Sequence, residues 1–219
     1  MKVLKFGGSS VGNAESIEKV VAIIKTAVEI DSCVVVLSAM QGTTDALIDA
    51  AKSAASGNED FREKIVSIKE KHIAAIGALL PENERGAITD FVASNIDELE
   101  KICEGVFLVG ELSPRTLDKI VGFGEILSTR IAAAKFDSLG VENVWKDARE
   151  LIKTDSNFGF AAVDFQKTNE LIEDFFIRQI QNPKSKAGNL FIVPGFIASD
   201  ANNITTTLGR GGSDYTAAI

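Results

Sequence analysis

Apolar residues in this chain occur in two patterns: short unbroken runs, and positions spaced three or four residues apart. The run from Cys33 to Leu37 is apolar throughout, which predicts a strand buried on both faces. Val3 to Phe6 and VENVW at 141–145 are two more strand candidates. The run NLFIVPGFIAS at 189–199 predicts a strand, and NNITTTLG at 202–209 predicts its partner beyond a polar turn.

Segments whose apolar residues have helical spacing lie between these strands. The predicted helices cover residues 14–30, 45–55, a segment ended by Pro81, about 84–107, 114–138, 164–181 and the stretch that follows Gly211 and Gly212. Asn13 and Ser113 stand where N-caps are expected, and Pro114 suits the first position of a helix. Gly57 and Gly140 are placed to end helices.

The order of these elements predicts the fold class. Strands that alternate with helices indicate an α/β fold, with a mainly parallel sheet that has helices on both faces. We expect a single domain over residues 1–219, with a helical insertion at about 58–110.

The composition of the chain limits which partners and which metal sites can be expected. The formal net charge of −8 over 219 residues disfavours nucleic acid and anionic membranes as partners. Cys33 and Cys103 lie far apart in the sequence, so we expect buried, reduced thiols and a cytoplasmic protein. The single histidine, His72, lies in a lysine-rich stretch and is expected to be a solvated helix residue. Without clusters of histidine and cysteine, no protein-bound metal site is expected.

Three loops rich in glycine, serine or threonine follow predicted strands, namely FGGSS, SAMQGTT and LGRGGSD. In open α/β sheets, ligands bind at the carboxyl ends of the strands. Glycine allows a close approach of the backbone to an anion, and unpaired N–H groups at helix starts attract phosphate or carboxylate. The loops therefore predict an anion-binding site.

Lys5 lies in the first strand, next to the FGGSS loop. Its ammonium could neutralise phosphate charge, or it could extend from a sheet edge into solvent, and the loop alone leaves both interpretations open. The motif is not a Walker A loop, and the chain contains no GxGxxG fingerprint, so a dinucleotide cofactor is not expected.

A second glycine cluster, TTTLGRGGSDYTAA at 205–218, favours the phosphate interpretation. Arg210 supplies a fork suited to a carboxylate, and Asp214 could hold a lysine or a magnesium-bound phosphate at a helix start. A capping aspartate beside a surface arginine is the alternative, and two glycine-rich anion sites in one chain make it less favourable.

The chain resembles a known family at four motifs that occur in order, which are KFGGSSV, SAMQGTTD, GFGEILSTR and TTTLGRGGSDYTAA. These motifs, together with the segment DARELIKTDSNFGFA, resemble the aspartate kinases of the amino acid kinase family. They extend from Lys5 to Ala218, so the resemblance covers nearly the whole chain. Two departures occur: Ser9 replaces the usual threonine, and Asp45 stands where asparagine is common.

The resemblance implies ATP-dependent phosphorylation of the side-chain carboxylate of L-aspartate, the first step towards lysine, threonine and methionine, with Mg²⁺ held mainly through the phosphates. It assigns Lys5 and Asp214 to catalysis. It assigns nucleotide phosphate binding to Lys5, Phe6, Gly7, Gly8 and Ser9. It assigns substrate binding to Ser38, Thr44, Glu125, Arg210, Gly211, Gly212 and Ser213.

The resemblance leaves two alternative functions open and implies further properties of the full-length protein. Another amino acid kinase, acting on glutamate, acetylglutamate or a nucleotide, is one alternative, and a non-catalytic module that binds amino acids or anions is another. Family catalytic domains continue beyond the helix at Gly212, so we expect an incomplete nucleotide site and an inactive isolated chain. The full-length protein is expected to be a homodimer or larger.

Overall fold

The computed structural model describes residues 1–181 and 189–219. Its seven strands are β1 (Lys2–Phe6), β2 (Cys33–Leu37), β3 (Val144–Trp145), β4 (Lys153–Thr154), β5 (Leu190–Pro194), β6 (Ile197–Asp200) and β7 (Thr205–Thr207). Its α-helices are α1 (Ala14–Val28), α2 (Thr43–Ala55), α3 (Phe61–Leu79), α4 (Gly86–Val109), α5 (Pro114–Ser138), α6 (Phe165–Gln181) and α7 (Gly212–Ala218). This confirms the predicted α/β class.

The main sheet is parallel, with strand order β1-β2-β5-β3. In its register, Phe6 pairs with Leu37, and Leu37 pairs with Pro194. Three of its strands therefore end at one edge, and the loops that follow them emerge side by side. The side chains of β2 are mostly buried, as its unbroken apolar run predicts.

The second sheet has the order β4-β6-β7, with β6 parallel to β4 and antiparallel to β7. The prediction of one strand over 189–199 is wrong, because β5 and β6 belong to different sheets. The chain turns between them at Phe196, whose φ of 68° lies in the left-handed region. The predicted pairing of β6 with β7 is confirmed.

Helices α2, α3, α4 and α5 pack against one another beside the main sheet. The prediction that His72 is solvated is wrong, because His72 is fully buried on the face of α3 that carries Ile68 and Ile76. Its Nδ1 lies 2.7 Å from the carbonyl oxygen of Ile68, and burial lowers the pKa of the imidazole. The lysines around it in the sequence point elsewhere, since adjacent helical residues face different directions.

The helix ends agree closely with the sequence signals. The Asn13 side chain accepts from the Ser16 N–H at 2.9 Å, and Ser113 accepts from the Thr116 N–H at 3.1 Å. Helix α2 begins at Thr43, two residues earlier than predicted, because Gly42 adopts a φ of 76°. Both cysteines are buried free thiols, as expected. Among the described residues, no helix is both long and apolar enough to cross a bilayer.

Gly124 on α5 should not tolerate a side chain. A Cβ built there would lie 2.9 Å from the Ala39 Cβ, in the loop after β2, whereas a Cβ on exposed Gly105 of α4 would meet nothing within 4 Å. We expect Gly124→Ala to lower the free energy of unfolding by about 1–3 kcal/mol through overpacking. Gly105→Ala should instead raise it by roughly 1 kcal/mol through helix propensity. Urea unfolding measures both, and equal effects at the two sites would contradict this packing account.

Candidate active site

A cleft of about 430 Å³ lies where the loops after β1, β2 and β7 meet the middle of α5. The position follows from the parallel register, which brings the carboxyl ends of the strands to one edge. The predicted site residues that line it are Lys5, Gly7, Gly8, Ser9, Ser38, Thr44, Glu125, Arg210, Gly211, Gly212, Ser213 and Asp214.

The first two loops pack backbone to backbone. A Cβ on Gly8 would lie 3.1 Å from the carbonyl oxygen of Ala39, tighter than most real contacts. Behind Gly8, the Ser10 N–H donates to the carbonyl oxygen of Gly7 at 2.9 Å and forms a tight turn. A side chain at Gly8 would push these two loops apart, so glycine is needed here for close approach.

Lys5 points into the cleft. Its Nζ lies 2.8 Å from Oδ1 of Asp214, a contact between the first strand and the last helix. The Lys5 side chain is 24% exposed and that of Asp214 is 71% exposed, so the pair lies at the solvent side of the cleft. Because Asp214 is open to solvent, the pair contributes little to stability, and the ammonium is available to exchange its partner for an anion.

Helix α7 begins at the cleft, with Gly211 at its N-cap in the left-handed conformation (φ 76°). Ser38 donates its hydroxyl to Ser213 Oγ at 2.9 Å, which ties the loop after β2 to this helix. A Cβ on Gly195 would lie 2.7 Å from the Cβ of Ser213, so the close contact between α7 and the turn after β5 depends on glycine at this position.

Glu125 is the most perturbed group in the cleft. Its side chain is buried in α5, and Oε2 has no hydrogen-bond partner among the residues that the structure describes. Desolvation raises the pKa of the Glu125 carboxyl to about 8, although a hydrogen bond from the backbone of Ala39 acts in the opposite direction. A buried carboxyl with an unpaired oxygen that faces a cleft is suited to receive a cationic ligand group.

Arg210 also lines the cleft, from the loop between β7 and α7. It is exposed, and no hydrogen bond or ion pair holds its guanidinium among the residues described. The cleft therefore presents a free guanidinium fork and a buried carboxyl, a combination that matches the carboxylate and ammonium of an amino acid.

Phe6 is the one predicted site residue that does not line the cleft. Its side chain packs against the main core, and its carbonyl oxygen accepts from the Ser38 N–H at 3.2 Å. The prediction missed several lining residues, which are Ala39, Met40, Gln41, Gly42, Asp45, Phe196 and Gly209. Phe196 follows Pro194 and Gly195 inside an apolar run, and that dipeptide was the signal that the strand is interrupted.

The described residues contain no group of three or more His, Cys, Asp or Glu side chains that could hold a metal ion. Asp214 and Asp45 are exposed carboxylates at the cleft, and one or two carboxylates suit an Mg²⁺ that is coordinated mainly by phosphate oxygens. The residues present thus fit a metal that arrives with its phosphate ligand.

Comparison with known proteins gives similar sequences and structures. The chain is 36% identical over 98% of its length to aspartokinase 1 of Arabidopsis thaliana, a chloroplastic protein, of which it covers 37%. It is 32% identical to the lysine-sensitive aspartokinase 3 of Escherichia coli, of which it covers 45%. A solved structure of E. coli aspartokinase III in complex with aspartate and ADP matches all of the chain with a TM-score of 0.86 at 30% identity.

The chain therefore spans less than half the length of these relatives. The family model for the amino acid kinase family, by contrast, matches the chain from residue 1 to residue 219. With its parallel sheet, its glycine-rich loops at one sheet edge and this match over its whole length, the chain belongs to the amino acid kinase family.

Proposed function

We propose that this chain forms the amino-acid and phosphate side of an aspartate kinase site. The reaction is transfer of the γ-phosphoryl group of ATP to the side-chain carboxylate of L-aspartate, giving 4-phospho-L-aspartate and ADP. One observation carries the proposal: a single cleft combines Lys5, the buried carboxyl of Glu125 and the guanidinium of Arg210, which is unpaired among the described residues.

The relatives support this choice of substrate. Several of them, from Arabidopsis and E. coli, are aspartokinases by name, and the E. coli structures contain aspartate together with ADP or lysine. Glutamate and acetylglutamate kinases, or a non-catalytic binding module, have no such support among these relatives. Cytoplasmic location and assembly of the full-length protein into a dimer or larger oligomer stay predictions.

The ammonium and a carboxylate of the substrate aspartate would each be bound by a side chain of opposite charge. Glu125 would receive the ammonium, and Arg210 would hold a carboxylate through its fork. Ser38, Thr44 and Ser213 add hydroxyl groups, and Gly211 and Gly212 present backbone at the start of α7. These contacts fix the direction in which the reacting carboxylate points.

The nucleotide phosphates would lie over the loop after β1, where Gly7, Gly8 and Ser9 present backbone and a hydroxyl. Phe6 holds the start of this loop from the core side. Lys5 would leave Asp214 and neutralise charge on the phosphoryl group being transferred, and Asp214 would then be free to face an Mg²⁺. When bound, Mg²⁺ neutralises charge on the phosphates.

The chemical step needs no general base. A side-chain carboxylate has a pKa near ~4 and is already ionised at neutral pH, so one of its oxygens can attack the γ-phosphorus directly. The bond between the γ-phosphorus and the β–γ bridging oxygen breaks, and ADP leaves. Positioning and charge neutralisation then provide the catalysis, which agrees with a cleft that has no histidine among its described lining residues.

Calorimetric titration with a panel of amino acids tests the substrate. The 219-residue chain should bind L-aspartate, and glutamate, N-acetylglutamate and a nucleoside monophosphate should bind at least about tenfold more weakly because they misplace or lack a charged group. Arg210→Lys should weaken aspartate binding, since lysine has no bidentate fork. Tighter binding of another panel member than of aspartate would overturn the assignment.

Glu125 should make aspartate binding release a proton. At pH 7 the free protein holds the carboxyl mostly protonated, because its pKa is about 8. A bound ammonium favours the ionised form, so affinity should rise with pH towards 8 and level off above it. Titrations in buffers of different ionisation enthalpy measure the proton release at pH 7, and Glu125→Gln should abolish it and weaken binding. Proton release that persists in Glu125→Gln would show that another group titrates.

Lys5 should act in turnover and not in amino acid recognition. In any form of the protein that turns over, Lys5→Ala should lower kcat by about 10²–10³ because charge on the transferring phosphoryl group loses its cation. The aspartate Kd should stay nearly unchanged. Lys19→Ala, which removes an exposed lysine paired with Glu15 on α1, is the matched control and should be silent. A coupled ADP-release assay decides, and a normal kcat in Lys5→Ala would remove this residue from the mechanism.

A further inference from the structure

Asp118 is a buried carboxylate that the proposed mechanism does not use. It lies on α5, two helical turns before Glu125, is 2% exposed and does not line the cleft. Buried carboxylates are costly unless they are hydrogen-bonded, so the partners that Asp118 holds indicate what it does.

Two separate segments donate hydrogen bonds to this carboxylate. Oδ2 accepts from the backbone N–H of Gly159 and from that of Thr207, each at 2.9 Å. Oδ1 accepts from the Thr207 hydroxyl, also at 2.9 Å. The carbonyl oxygen of Thr207 in turn accepts from the Ala161 N–H at 2.9 Å. Every polar group of Thr207 is therefore held, and the loop at 155–161 is fastened to the same point.

Thr207 ends β7, three residues before Arg210. The next residues are fixed as well: the Leu208 N–H donates to the carbonyl oxygen of Phe196 at 2.9 Å. Gly209 has a φ of 74°, and the ring of Phe160 covers it so closely that an added Cβ would lie 2.2 Å from Cδ2 of the ring. The loop that Asp118 fastens through Gly159 thus packs directly on the residue before Arg210.

Arg210 has no partner of its own among the described residues, so the direction of its side chain depends on the backbone that leads to it. We propose that Asp118 is a positioning residue that sets the direction of Arg210, by clamping Thr207 and the loop at 155–161 to α5. Because α5 also carries Glu125, this one helix fixes the distance between Glu125 and Arg210, the two groups that would bind the amino acid.

This inference rests on the proposed function for the role of Arg210, and its structural part is testable without any ligand. In the ligand-free chain, Asp118→Ala should speed amide hydrogen exchange at Gly159 and at residues 207–211, with little change in α1 and α3. Asp118→Asn keeps one oxygen for the two N–H donors and an amide that can donate to the Thr207 hydroxyl, so its exchange should stay near wild type. Unchanged exchange in Asp118→Ala overturns the clamp even if aspartate binds.

Binding then tests the effect on Arg210. Asp118→Ala should weaken aspartate binding by roughly 10- to 100-fold, because a group hydrogen-bonded through a charge is lost, and Asp118→Asn should restore most of it. Thr207→Val should follow Asp118→Ala, whereas Thr207→Ser, which keeps the hydroxyl, should resemble wild type. Asp137→Ala, an exposed carboxylate near the end of the same helix, is the control and should leave the Kd unchanged.

A double-mutant cycle separates positioning from general destabilisation. On an Arg210→Ala background, adding Asp118→Ala should cause little further loss of aspartate affinity, because the affected contact is already absent. Fully additive losses, or a lower Tm with unchanged affinity, would show that Asp118 only supports the fold. If wild type binds no aspartate, the proposed substrate fails, and the exchange data alone then decide whether the clamp exists.

Discussion

The burial of α5 is the constraint on which the site depends. This helix passes beneath the cleft with nearly every side chain from Ile120 to Ala133 out of water. It meets the loop after β2 so closely at Gly124 that no Cβ fits, and Ser128 donates to the carbonyl oxygen of Ser38 at 2.7 Å. A helix held so tightly cannot shift to solvate a charged group, so the carboxyl of Glu125 remains desolvated.

That desolvation has an energetic cost which the ligand can remove. A carboxyl whose pKa rises on folding favours the protonated state of the folded protein, so it lowers the free energy of unfolding as the pH rises from the ordinary pKa of 4.5 to about 8. An ammonium bound at the same oxygen would reverse this penalty. The fold thus stores unfavourable free energy at one atom of the cleft, and the proposed substrate supplies the compensating charge. An unfavourable desolvated group of this kind is typical of binding sites.

The other side of the cleft is built differently. Lys5 pairs with the exposed Asp214, and the Arg210 guanidinium is unpaired within the part of the chain that the structure describes, so these groups can rearrange when anions bind. The surrounding backbone is rigid: Gly8 touches the loop after β2, and Thr207 is held at every polar group. A rigid frame with exchangeable charges suits phosphoryl transfer, in which two anions must be brought together in line.

The sequence by itself determined the α/β class and most helix ends, because caps, glycine turns and apolar periodicity are local signals. The resemblance of its motifs to the aspartate kinases supplied most of the cleft residues. The cleft could be anticipated since parallel strands bring their following loops to one edge. Only the tertiary structure decided that 189–199 divides between two sheets, that His72 is buried and that Asp118 holds Thr207. Each of these depends on which residues distant in sequence pack together, and burial, which shifts the pKa of Glu125, follows from that packing alone.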